Sequence, residues 1–179
     1  GGTSGTILAA RQDEVGVVTF NRPEKHNAMS TEMWDGLGEA LDVFGQDESI
    51  RVVILKGAGG KSFVSGSDIS QFGDTRANAA VVAQHQQVHD ARRRKLGEFP
   101  KPTIASIAGW CLGGGMTIAL SADFRIATKK SRFGIPAARL GLPYGERETR
   151  ALINTVGANH ARLLLFTAKN IDAEEAARI

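Results

Sequence analysis

Three consecutive glycines, Gly113, Gly114 and Gly115, separate the run 102–112 from the apolar segment 116–122. The β-branched stretch at 103–108 reads as a strand, the triplet as a tight loop, and the segment after it as a buried helix. A core strand must therefore end beside a helix whose first N–H groups are unpaired and uncovered by side chains. A ligand oxygen can approach such a bare backbone.

The rest of the chain alternates in the same way. Residues 7–12 and 15–20 are short β-branched runs split by Asp13 and Glu14, a hairpin pattern, and 21–24 is a turn. Ser30 caps a helix running to about Phe44, with Met33, Leu37, Ala40, Leu41 and Phe44 on one side; 45–48 ends it. Residues 51–55 form a strand apolar enough for burial on both faces, followed by a glycine loop at 57–60. An amphipathic helix spans 77–96 and stops at Pro100 and Pro102. Helix 114–122, strand 124–127 and a short segment near 131–133 follow, and the chain is helical from about Glu146. The class is α/β with crossovers between roughly parallel strands. No internal sequence repeat is visible. The last segment, 172–179, opens with a cap and acidic residues but closes without a C-cap, so an element is expected to continue beyond it.

Length and composition narrow the function. The 179 residues suit a single domain, and a net charge of +3 falls short of a nucleic-acid signature. The lone Cys111 excludes an intrachain disulfide and fits a reducing compartment; without an activating base it reads as a small buried residue. No apolar run is long enough to span a membrane and the opening residues lack a signal-peptide pattern, so cytoplasm is the expected location. Gly60-Lys61-Ser62 is not a phosphate loop, because Leu55 stands where the first glycine is required. His85 and His89 have metal-ligand spacing but no third ligand, so no metal is expected. The basic block 92–95 sits at a helix C-terminus, where cations are favoured.

Residues 65–68, Ser-Gly-Ser-Asp, form a second small-residue turn after a core strand. Paired with the triplet, it offers two backbone N–H groups to one oxygen, an oxyanion hole. At this point the sequence resembles the enoyl-CoA hydratase/isomerase (crotonase) superfamily. The likeness rests on five segments in family order: 21–30, 63–69, 101–115, 122–127 and 133–141.

The resemblance implies a crotonase-like spiral of ββα units over residues 1–179, lacking the family's C-terminal helical segment, and assembly as a homotrimer or hexamer. It implies an acyl-CoA substrate, with coenzyme A as part of that substrate and no separate cofactor. Ser67 and Gly114 would donate to the thioester carbonyl. Lys25, His26, Ser65, Ser67, Asp68 and Ile69 would line the CoA site, and Thr117, Ala137, Leu140 and Tyr144 the substrate pocket. Hydratases of the family use two glutamates, and the matching positions here hold Thr117 and Ala137. Threonine is a poor base and alanine none. Single-base chemistry such as isomerisation is therefore expected over standard hydration, with Glu146 or Glu148 as replacement carboxylate and Tyr144 as a possible proton donor. Both glutamates also suit a plain helix start. The alternative is a CoA-thioester-binding protein without catalysis.

Overall fold

The computed structural model describes residues 5–68 and 91–179. Strands β1 (Ile7–Gln12) and β2 (Val15–Phe20) form the expected hairpin, in register from Ile7↔Phe20 to Gln12↔Val15. Helix α1 (Thr31–Gln46) starts at Ser30, whose hydroxyl accepts the Met33 N–H at 3.2 Å. Met33, Leu37, Ala40, Leu41 and Phe44 are all buried, as their spacing requires. The helix runs on through Gly45 to Gln46, past the expected stop.

The chain then alternates between two sheets. Strand β3 (Val52–Gly57) is followed by β4 (Ser62–Val64), and residues 91–97 are helical (α2). Next come β5 (Thr103–Ile107), β6 (Trp110–Leu112) and α3 (Gly114–Ser121). Strands β7 (Phe124–Ala127) and β8 (Arg132–Gly134) precede α4 (Ala137–Leu140). Helix α5 (Glu146–Thr167), bent at Gly157, then leads to β9 (Ile171–Asp172) and α6 (Ala173–Arg178). One sheet has the order β1-β2-β3-β5-β7 and the other β4-β6-β8-β9. Every pairing among β3, β5 and β7, and among β4, β6 and β8, is parallel. Each successive pair of strands thus advances one place in both sheets, which makes a spiral of ββα units.

Two expectations need correction. Val53 and Leu55 of β3 are buried, but Val52 and Ile54 are only half-buried, so the strand is fully covered on one face. The tight loop expected at the triplet is shorter than that: Trp110–Leu112, to which the sequence assigns no element, pairs as β6 between β4 and β8, and Gly114 already opens α3. The expected helix at 77–96 lies mostly outside the described residues, as do His85 and His89.

Candidate functional site

The two small-residue turns are brought side by side by strand register. Val64 of β4 pairs with Cys111 of β6. Ser67 and Gly114 each lie three residues further on, so they emerge from adjoining strands at the same level. Gly115 holds the strand ends together: a Cβ there would be 3.0 Å from the Val64 carbonyl carbon and closer still to its oxygen. Gly113 has φ +51° and ψ −111°, which a side chain would make strained. Gly114 differs from both. A Cβ on it would meet Ser67 N and Oγ at 3.7 Å and Gly66 C at 3.6 Å, an ordinary contact.

Ser67 is left with a free N–H for a definite reason. It forms a parallel bridge with Met29. In that pattern Met29 uses the groups on either side of Ser67: Met29 N–H donates to Gly66 O at 2.8 Å, and Asp68 N–H donates to Met29 O at 2.9 Å. The N–H of Ser67 itself faces away from Met29. Gly114 is the first residue of α3, where no intrahelical acceptor exists. Among the described residues no acceptor takes either N–H. Two unpaired donors on adjoining backbones can together hold one carbonyl oxygen and favour negative charge on it.

The loop before Met29 is fastened to the same turn. Asn27 is fully buried at φ +55°; its side chain accepts the Arg22 N–H at 2.9 Å and donates to Ala58 O at 3.0 Å and Ser62 O at 2.8 Å. Arg22 reaches Ala28 O at 3.2 Å and Asp68 Oδ2 at 3.0 Å. Ser65 N–H donates to His26 O at 3.2 Å, and Ala28 N–H to Lys25 O at 3.0 Å. The side chains of Lys25 and His26 are exposed beside this loop. Ile69 lies outside the described residues.

Beyond Gly114, Thr117 is one turn further along α3 and buried. Helical side chains lean toward the N-terminus, so its hydroxyl is carried back toward Gly114. Tyr144 and Glu148 stand beside it. Burial pushes the Tyr144 phenol up to about 12; the nearby Thr117 opposes the shift and the Glu148 carboxylate adds to it. The Tyr144 hydroxyl is buried and closes no hydrogen bond. Glu148 is 8% exposed and accepts from Arg93 at 2.9 Å, while the Arg93 guanidinium lies 5.5 Å from the Trp34 ring centre. Thr117, Arg93 and Glu148 line one small hollow together with Leu120, Ser121 and Arg147. Glu146, by contrast, points to solvent and pairs with Arg150 at 2.7 Å. The structure therefore gathers Thr117, Tyr144 and Glu148 and leaves Glu146 outside. Ala137 opens α4 half-buried against the core, and Leu140 is exposed at its far end.

Sequence reasoning did not find Arg22 or Asn27, whose partners are distant in sequence. It read Arg93 only as one of a basic block, of which Arg92 pairs with Asp35 and Lys95 with Asp42. Burial raises the Cys111 thiol pKa, and the sulfur sits 4.0 Å from Met116 Sδ, consistent with a packing role. Among the described residues no helix is long and apolar enough to cross a membrane.

Known proteins resemble this chain in sequence and in fold. The short-chain-enoyl-CoA hydratase of Clostridium acetobutylicum is 38% identical over 173 residues, covering 97% of this chain and 66% of the relative. The crotonyl-CoA hydratase of Syntrophomonas wolfei is 35% identical over 175 residues, with 97% and 66% coverage. The crystal structure of an enoyl-CoA hydratase/carnithine racemase from Magnetospirillum magneticum superposes with a TM-score of 0.93 at 36% identity, over 97% of this chain and 65% of that one. The chain thus spans about two thirds of the length of these relatives. The enoyl-CoA hydratase/isomerase family model matches residues 10–179. With nearly the whole chain matched and the two-turn geometry in place, this protein belongs to the enoyl-CoA hydratase/isomerase family.

Proposed function

We propose that this chain binds an acyl-CoA thioester and stabilises its enolate, with the N–H groups of Ser67 and Gly114 holding the thioester oxygen. The observation that carries this reading is the pair of unpaired N–H groups emerging in register from β4 and β6. Removing an α-proton leaves an electron pair that delocalises onto the thioester oxygen, where the two donors favour it. The CoA moiety lies along Lys25, His26 and Ser65, while the Asp68 side chain is turned inward to Arg22. Thr117 and Ala137 supply no carboxylate, so one-base chemistry such as double-bond isomerisation is favoured over standard hydration. Glu148 is the better candidate for the base, because it is buried beside Tyr144 and Thr117 whereas Glu146 is exposed. Tyr144 stays protonated at neutral pH and is the candidate acid. No metal or separate cofactor takes part; the assembly is a homotrimer or hexamer, located in the cytoplasm.

A second reading is CoA-thioester binding without turnover. The Arg93–Glu148 pair favours it, since that carboxylate already has a structural partner. The experiment that separates the two offers crotonyl-CoA and a 3-enoyl-CoA and follows absorbance together with deuterium uptake at the α-carbon. Turnover or exchange supports the enzyme. Tight binding with neither result supports the second reading, and absence of binding overturns both.

A further inference from the structure

The structure assigns Arg22 and Asp68 a role as positioning residues that aim the Ser67 N–H, an inference that rests on the thioester-binding reading above. Ser67 is exposed and follows Gly66, whose φ is +120°, so the turn has no rigidity of its own. Its direction is imposed from the loop 22–29. The Met29 bridge fixes the residues on both sides of Ser67. Met29 is in turn held in place by the fork of Arg22, with one nitrogen on Ala28 O and the other on Asp68 Oδ2. The pair joins residues 46 apart in sequence, and its side chains are only 17% and 12% exposed. Burial protects it from the screening that weakens surface pairs. The planar guanidinium also fixes angle as well as distance. Asn27, bonded to Arg22 N–H and to Ala58 O and Ser62 O, anchors the loop to the scaffold. Asp68 is thus turned inward to Arg22, and its backbone N–H closes the bridge that leaves the Ser67 N–H free.

The consequence is readable without catalysis. A carbonyl held by two aligned donors is polarised, which displaces the carbon-13 resonance of a [1-13C]acyl-CoA on binding. In the full chain, Arg22→Met and Asp68→Asn are each expected to lose roughly half or more of that displacement. Affinity for CoA alone, which has no acyl carbonyl, is expected to change by less than about threefold. The double variant should lose no more than either single one, because both remove one pair. Arg22→Lys, which keeps a charge but not the fork, should fall between Arg22→Met and the wild type.

Wild-type displacement in both Arg22→Met and Asp68→Asn overturns the assignment. So does CoA affinity falling in step with the displacement, which makes Asp68 a CoA contact. Asp68→Asn preserves shape, so its failure to fold makes the pair a stability element and also overturns the proposal. If the wild type binds acyl-CoA without any displacement, the oxyanion reading itself fails, a result distinct from the others.

Discussion

Gly114 and Gly115 are neighbours, yet alanine should affect them in opposite ways. At Gly115 the new methyl lands 3.0 Å from the Val64 carbonyl carbon and nearer to its oxygen, and both belong to backbone held in the β4–β6 pairing. The clash can be relieved only by separating the strands, at about 3 kcal/mol or more. For a chain of this size that lowers Tm by roughly 6–12 °C. At Gly114 the methyl makes ordinary contacts of 3.6–3.7 Å and the backbone has no positive φ. Alanine favours the helix by up to about 1 kcal/mol, so Tm should stay level or rise by a few degrees. The methyl nevertheless occupies space beside Ser67 N, where the substrate oxygen must come to about 2.9 Å. Pushing the oxygen away forfeits one donor, about 3–4 kcal/mol in the transition state, or a factor of roughly 10² to 10³ in kcat/KM. Thermal melts of both variants, with acyl-CoA titration and turnover on Gly114→Ala, test this. Wild-type kinetics and binding in Gly114→Ala, or wild-type stability in Gly115→Ala, would refute the reasoning.

Tyr144 gives a pH prediction. Its phenol is raised from about 10 to about 12 by burial. The unfolded chain therefore ionises first, and stability is lost as pH climbs from about 10 toward 12, by up to about 2 kcal/mol. Urea melts at pH 9 and 11 should show a smaller loss in Tyr144→Phe than in the wild type; equal losses count against a buried phenol. At neutral pH the same variant should be as stable or slightly more so, because it removes an unpaired buried hydroxyl. The two glutamates should separate by stability: Glu148→Gln breaks a buried pair and costs about 3 kcal/mol, whereas Glu146→Gln breaks an exposed one and changes less than about 0.5 kcal/mol. Equal urea midpoints would contradict the burial of Glu148. If Glu148 is also the base, Glu148→Gln abolishes α-deuterium exchange and Glu146→Gln does not.

Much of the fold is legible wherever one local signal dominates. Ser30 with its apolar stripe sets α1, and Asp172 caps α6 by accepting the Glu175 N–H at 2.9 Å. Strand β6 was missed because Trp110-Cys111-Leu112 is three residues long and carries no alternation; only its neighbours β4 and β8 make it a strand. The two extra residues of α1 past Phe44 reflect packing: Gly45 sits against Phe99, which sequence spacing does not reveal. The bare backbone at Gly113–Gly115 was readable because glycine marks it directly. What tunes that backbone was not. Arg22 lies 46 residues from Asp68, and Arg93 lies 55 residues from Glu148. A charge in a turn or a basic run has no visible partner until the chain is folded.

The spiral itself has a metric consequence. Adjacent parallel strands lie about 4.8 Å apart, so donors emerging at one level from neighbouring turns inherit roughly that separation. An oxygen reached at about 2.9 Å from two nitrogens 4.8 Å apart subtends an angle of about 110° between them. That is close to the spread of the two lone pairs on a carbonyl oxygen. The pitch of the coil, fixed by ordinary sheet hydrogen bonds, thus already has the bite of a two-toothed ligand clamp. Side chains on the next turn, from Ala137 onward, can change without altering that bite.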